Sequence, residues 1–483
     1  MIAQKNSYSY KNIILEITFK FLLLPLLKFV KLMNNQGKIQ KIGLITAITL
    51  VVANMVGTGV FTSLGFQVAG IPNAFTIIML WAVGGITALC GAFSYGELGS
   101  IFPRSGGEYH FLGKIYNPFI GFLSGWISFV VGFTAPIAAA AMAAGKYSSR
   151  VLVDTQVISS DFQNITMTII ACTLCIIIAQ VHTSKIKIIS GFQNIFTVLK
   201  ITLILILILF GFILSTSQNI SFLPTKDSIS AIFTGTFAIS LVFVMYAYSG
   251  WNASAYIATE IKNPEKNLPR SLFLGTLIVI LLYIPVNAVF LYSTPISEMA
   301  LQEEVGYIAA GFIFGKTGGI IMGLLISIGL ISAISSMTWA GPRVIQVIGE
   351  DYKLLKIFSK TNKNNIPVYA IAIQTVLVLV LVISSTFEMV IYYIGFTLTL
   401  SSFLTVLGVF VLRIKKPDLP RIYKTWGYPV TPIIYLIVTA WMMIYVVKDK
   451  PIAVIFSLIT ISIGAIVYFI NKKIEKNVDS KKK

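Results

Sequence analysis

Histidine is nearly absent from this chain of 483 residues, with only His110 and His182. That is too few for a His-rich metal site or a histidine proton relay. Cysteine is almost as scarce: Cys90, Cys172 and Cys175 all fall in apolar runs. Cys172 and Cys175 are three apart, but no second Cys or His pair completes a metal site, so all three read as small core residues. Charged residues make up only 11% of the chain, against 56% hydrophobic, at a mean hydropathy of +0.85. A soluble globule cannot hide that much apolar surface, so the chain reads as an all-α polytopic membrane protein. A Gly-x-x-x-x-Gly-Lys-Ser/Thr loop is also missing, which argues against a nucleotide-driven pump. No Ser–His pair or His/Asp/Glu cluster lies in the apolar runs, which argues against a membrane enzyme. No cofactor or metal is implied.

What is present is a series of twelve apolar runs, near 42–68, 74–99, 118–145, 164–182, 190–214, 230–259, 271–293, 314–347, 367–385, 389–412, 429–447 and 452–471. Each is long enough, at roughly 20 residues per crossing, to be a transmembrane helix. Short loops join them. Ahead of them, 13–33 is apolar but interrupted by Glu16, Lys20, Pro25, Lys28 and Lys31. It lacks a signal-type cleavage site. An interfacial amphipathic helix fits this segment; so does an initiation codon set too far upstream.

The surplus of positive charge, +19, invites a nucleic-acid reading, but its placement argues against one. With the N-terminus cytoplasmic, 30 of the 37 lysines and arginines fall in inner segments and six in outer loops. This is the positive-inside bias of a cell-membrane protein with both termini in the cytoplasm. One lysine is left over. Lys200 lies ten residues into the fifth run, about 15 Å deep at 1.5 Å per residue. An ammonium there costs at least about 2.5 kcal/mol unless it has partners or gives up its proton.

Two runs are interrupted in mid-membrane. The first run contains Asn54-Met55-Val56-Gly57-Thr58-Gly59-Val60-Phe61, with two glycines around a threonine. Glycine costs about 1 kcal/mol of helix propensity against alanine, and a broken helix in lipid leaves amides and carbonyls bare. Close helix packing is the plain explanation of a lone Gly-x-Gly. However, the sixth run breaks in the same way at Tyr246-Ala247-Tyr248-Ser249-Gly250-Trp251-Asn252. Runs one and six are five apart and enter from opposite sides. Paired interruptions at corresponding places in inverted halves point to a transporter's midplane site.

At these residues the sequence resembles the amino acid–polyamine–organocation superfamily, in particular bacterial permeases similar to the L-type amino acid transporters. Further motifs carry the resemblance: Tyr95-Gly96-Glu97-Leu98, Pro103-Arg104-Ser105-Gly106-Gly107-Glu108-Tyr109, Glu260-Ile261-Lys262-Asn263-Pro264-Glu265-Lys266-Asn267-Leu268-Pro269, Gly341-Pro342-Arg343 and Gly427-Tyr428-Pro429. They run from about residue 40 to 430. The resemblance implies the leucine-transporter fold. Residues 40–215 and 228–413 would then form two inverted five-helix repeats, 425–471 two peripheral helices, 1–39 an N-terminal cytoplasmic or interfacial segment and 472–483 a basic tail. It also implies alternating access around a central amino acid site.

In such a site the half-helix after the first break presents free N–H groups and a positive dipole end to a carboxylate. Gly57, Thr58 and Gly59 are therefore expected on the substrate carboxylate. Carbonyls freed at Met55 and at Tyr246 to Ser249, Tyr248 among them, are expected on its ammonium, and Gly250 is a further candidate of the substrate site. By the resemblance Tyr246 takes the place of an aromatic gate, the alternative being a packing aromatic. Asn252 would touch substrate or tie its helix to a neighbour, and Asn54 would satisfy freed backbone groups. Sodium-independent relatives place a lysine of span five where a sodium ion otherwise bridges spans one and eight, and Lys200 fits that pattern. Ser332, Ser335 and Ser336 are its candidate partners. Glu97, Arg104, Glu260 and Arg343 are inner-gate candidates, with solvated helix ends as the alternative, and Glu388 is expected at an exposed outer end.

The function expected is secondary transport of amino acids, without sodium, as proton symport or as obligate exchange. Neutral substrates are favoured because no carboxylate can be assigned to the cavity; cationic amino acids or polyamines are the alternative. A channel or a non-transporting sensor fits less well. The partners expected are the amino acid, protons and the bilayer, with no nucleic acid. No cysteine in the outer loop between spans three and four is placed to bridge to a second subunit.

Overall fold

The computed structural model describes residues 41–480, apart from 185, 216 and 219. The expected interfacial segment at 1–33 lies outside the described residues. Among them all regular structure is helical, save for one bridge between Ile42 and Ile261. Among the described residues ten helices are long and apolar enough to cross a membrane, and Gly235–Ala247 and Val368–Ser384 are shorter apolar helices. This is a multi-pass membrane protein.

The first run is two helices, α1 (Leu44–Met55) and α2 (Gly59–Gly70). Then follow α3 (Ala74–Ile101), α4 (Glu108–Ile115), α5 (Pro118–Ile127), α6 (Thr134–Asp154), α7 (Gln163–His182) and α8 (Ile186–Leu214). The sixth run holds α9 (Lys226–Ala231), α10 (Gly235–Ala247) and α11 (Ala253–Tyr256). The remainder are α12 (Pro264–Ser293), α13 (Ile296–Met299), α14 (Val305–Asp351), α15 (Val368–Ser384), α16 (Phe387–Lys415), α17 (Val430–Asp449) and α18 (Pro451–Ser480). Side-chain caps set several starts. The Asn73 carboxamide accepts from the Thr76 N–H, Asn117 from the Ile120 N–H, and Thr225 and Ser228 form a reciprocal capping box.

Two irregularities are not apparent from the apolar pattern. Residues 128–133 form a π-helical turn between α5 and α6. α14 is two helices joined at Gly315, whose φ of 75° breaks the axis, so 305–314 is a separate helix ahead of the span that the apolar run marks from 314.

The four inner-gate candidates do not form one network. Glu97 is fully buried and pairs with none of the other three. It takes Arg413 Nη2 at 2.6 Å, Arg421 Nε at 3.2 Å and both the N–H and the hydroxyl of Thr425 at 2.7 Å. The glutamate thereby holds the loop from α16 to α17 against α3. Arg104 pairs instead with Asp351 at 3.0 Å, and Arg343 with Glu260 at 3.2 Å. Glu388 is half exposed and lies 3.8 Å from Lys450. Removing one partner of a buried ion pair costs about 3–5 kcal/mol, because the other charge is left uncompensated. Glu97→Ala is therefore expected to lower thermal stability in detergent sharply, as read by the folded fraction surviving heating. Arg104→Ala, at a surface pair worth about 0–1 kcal/mol, should lower it little.

Candidate substrate site at the two helix breaks

The two breaks lie against each other. Gly250, at φ +93°, brings its backbone onto Asn54, where a Cβ would sit 2.8 Å from the Asn54 Cβ. A Cβ on Gly59 would sit 2.5 Å from both the Cα and the Cβ of Ala247. Gly59 thus serves close packing, the plain explanation, while a Cβ on Gly57 would meet only ordinary contacts, the Ala333 Cβ at 3.8 Å and the Met55 oxygen at 3.9 Å.

Between the two breaks is a small cavity of about 10 Å³ lined by Asn54, Gly57, Thr58, Tyr246 and Ser249. The N-terminus of α2 opens into it, so its unpaired N–H groups and positive dipole end suit a carboxylate. Tyr246 closes the cavity through a 2.7 Å hydrogen bond between its hydroxyl and that of Thr58. Tyr246→Phe keeps the ring but loses that bond, worth about 0.5–1.5 kcal/mol net. The expected result is a 3- to 10-fold lower kcat/KM in initial-rate uptake, at unchanged protein level.

A second cavity, of about 60 Å³, adjoins the first and shares Asn54, Pro136, Ser249 and Met337 with it. Asn252, Tyr256, Ser402 and Glu108 line the rest. The Glu108 carboxylate is buried among donors: Tyr95 and Ser401 hydroxyls, Ser402 at 3.0 Å and the Asn252 amide at 3.2 Å. No cation pairs with it among the described residues. The acid missing from the sequence reading is therefore present; it stood in the Gly106-Gly107-Glu108 motif, but a residue between spans gives no sign that it folds back into the core. Beside it His110, which lies outside the spans, has its imidazole pushed down to about 4, by burial first and by Arg104 second. It stays neutral at working pH.

Lys200, fully buried, donates from Nζ to the carbonyls of Ala53, at 3.2 Å, and Val56 at the first break. Its expected serine partners are a correction: none of the three bonds to it. Ser332 meets Gln193 at 3.3 Å and Thr197 at 3.2 Å, Ser335 meets His182 at 2.9 Å, and Ser336 turns back to Ala333. Lys200 instead passes beside Gly329, where a Cβ would lie 3.7 Å from its Cγ, so span eight offers it room rather than a hydroxyl.

The Met55 carbonyl is a second correction. It is not free, because it accepts from the Tyr283 hydroxyl at 2.6 Å and from the Gly57 N–H at 2.8 Å. The Tyr246 carbonyl accepts from Ser249, and that of Ala247 from Tyr283. Among the described residues nothing donates to the carbonyls of Tyr248 and Ser249, and of the two only Ser249 lines the cavities, which leaves its carbonyl as the acceptor side of the site. The Tyr248 ring points away from both cavities, toward Trp81 and Tyr283. Asn54 donates to the Leu50 carbonyl at 3.0 Å, as a structural amide should. Tyr283 escapes a reading by apolar pattern, since a tyrosine inside a span looks like any packing aromatic.

The sequence profile of the amino acid permease family matches residues 42–476, nearly the whole chain. Three relatives illustrate the likeness. The b(0,+)-type amino acid transporter 1 of Mus musculus is 26% identical over 436 residues, covering 89% of this chain and 88% of its own. The large neutral amino acids transporter small subunit 2 of Oryctolagus cuniculus is 27% identical over 439 residues, covering 89% and 80%. The serine/threonine exchanger SteT of Bacillus subtilis (strain 168) is 29% identical over 406 residues, covering 83% and 90%. With the broken helices, the closed cavity between them and this family match in place, the chain belongs to the amino acid permease family of the amino acid–polyamine–organocation superfamily, as a membrane transporter of amino acids and not an enzyme.

Proposed function

We propose that the protein carries neutral amino acids across the cell membrane by sodium-independent alternating access, coupled to protons. The observation that carries this reading is the Lys200 ammonium on the Ala53 and Val56 carbonyls. A fixed cation of the chain occupies the place at the first break where a free sodium ion would otherwise be needed. The substrate carboxylate meets the N–H groups of Thr58 and Gly59, since that of Gly57 is held by the Met55 carbonyl, and the ammonium meets the Ser249 carbonyl. Tyr246 is the gate above them. Residues 40–215 and 228–413 are two inverted repeats, 425–471 are two peripheral helices, both termini are cytoplasmic, and the chain works without a second subunit.

Proteoliposomes test this directly. Uptake of a labelled amino acid mixture into empty vesicles, acid outside, is expected to accumulate and to collapse with a protonophore. Uptake that appears only after preloading with unlabelled amino acids would establish obligate exchange instead, with Lys200 a permanent charge. That reading has the name of the Bacillus subtilis relative in its favour.

Glu108 favours a second reading of the substrate. A buried carboxylate without a cation, lining the larger cavity, suits a substrate with a cationic side chain. Competition decides: arginine and lysine outcompeting leucine and serine, with that preference lost in Glu108→Gln, would move the substrate class from neutral to cationic.

A further inference from the structure

Tyr283 lies about two thirds of the way along α12 and is fully buried. Its hydroxyl stands 2.6 Å from the Met55 carbonyl and 3.1 Å from the Ala247 carbonyl. Those are the last residues of α1 and α10, the half-helices that run into the two breaks. Both carbonyls sit at helix C-termini, where the dipole is negative, so both draw on the same donor. A phenol has one proton to give. At these distances Met55 holds it, and Ala247 has the weaker share.

The ring cannot follow either helix far. Trp81 packs edge-on at 5.4 Å and Tyr248 at 5.0 Å, between centroids. The hydroxyl can still turn about its C–O bond from one carbonyl to the other without moving the ring. Tyr283 lines neither cavity, so whatever it does to transport it does through the backbone of the breaks.

On the inverted arrangement proposed above, on which this inference rests, α1 is the cytoplasmic half of span one and α10 the outer half of span six. One proton therefore stands between an inner moving part and an outer one. We propose that Tyr283 is a positioning residue whose hydroxyl passes between the Met55 and Ala247 carbonyls, so that α1 and α10 are released in turn and never together. When α1 swings away, Met55 leaves and the hydroxyl turns fully to Ala247, tightening the outer half. When α10 moves, the bond returns to Met55.

Backbone hydrogen–deuterium exchange on the purified full-length protein tests this, with L-leucine, L-serine and L-arginine as probes in turn, alongside transport kinetics. In the wild type, a probe that shifts the protein between states should change exchange in 44–55 and 235–247 in opposite directions. Tyr283→Phe keeps the aromatic packing; in it both segments should exchange faster and respond in the same direction. Its kcat should fall at least 5-fold with KM within 2-fold, since no substrate contact is touched, and substrate should leak from preloaded vesicles. Wild-type segments that gain or lose protection together would overturn the proposal, and so would a phenylalanine variant with unchanged kcat and opposed responses. If that variant does not reconstitute, the wild-type pattern decides alone. A wild type that shows opposed responses but moves no amino acid would sink the transport reading and leave the tie standing.

Discussion

Lys200→Met is expected to abolish transport, lowering initial uptake at least 30-fold while the protein still reaches the membrane. The methionine fills the channel beside Gly329 with an unbranched side chain of similar length, so packing is largely kept. What goes is the donor. The Ala53 and Val56 carbonyls are then left without that donor in a buried break. Each unsatisfied group costs about 1–3 kcal/mol, and a factor of ten is about 1.4 kcal/mol. Two such groups at the moving part of the protein account for 30-fold or more. The loss should appear in kcat and KM together, because the same break presents Gly57 to Gly59 to the substrate.

Lys200→Gln separates the donor from the titrating charge. An amide retains part of the hydrogen bonding and holds no proton to release. In a proton symporter, Lys200→Gln should keep slow exchange between preloaded vesicles and lose the response to a pH gradient. A Lys200→Met protein with full uptake and unchanged pH dependence would sink the role assigned to this residue.

The breaks were legible because membrane helices rarely forgo backbone pairing without cause. Gly57-Thr58-Gly59 and Tyr248-Ser249-Gly250 stand out against long apolar runs for that reason alone, and so does a lysine in mid-span. The partners were not legible. Lys200 faced three serines within two turns of span eight, and the choice depended on rotation of α14 about its axis, which a mostly apolar helix does not encode. The chain passes Lys200 beside Gly329 and gives Ser332 to Thr197 and Gln193. Glu97 and Arg104 both follow α3 or its end closely, yet they serve different neighbours, since Arg413 and Arg421 return from more than 300 residues away. Pairings of that range are fixed by the packing of the whole bundle, not by local pattern. The same holds for Glu108, which counts as a loop residue by position and as a core carboxylate by contact.

The glycines of the first break are expected to differ from each other as sharply as they look alike. Gly59→Ala puts a Cβ 2.5 Å from the Ala247 Cα and Cβ. Neither atom is the end of a flexible side chain, so α2 and α10 must part along their contact. Overpacking a tight core costs about 1–3 kcal/mol, occasionally more, and here it falls on two helices that also carry the breaks. Gly59→Ala should lose most of its folded yield, read by monodisperse protein recovered from membranes. Gly57→Ala meets only the Ala333 Cβ at 3.8 Å and the Met55 oxygen at 3.9 Å, which are ordinary contacts. It should fold as the wild type does. Its methyl group, however, is added at a residue that lines the cavity of about 10 Å³, where the substrate carboxylate must approach the α2 N-terminus. The expected result is normal yield with KM raised at least 10-fold. Near-normal KM in Gly57→Ala would move the carboxylate away from this break and into the larger cavity, where Asn252 would be its first donor to mutate. A well-folded Gly59→Ala would mean that α2 and α10 are not held in the contact described, and the closed arrangement of the two breaks would have to be abandoned.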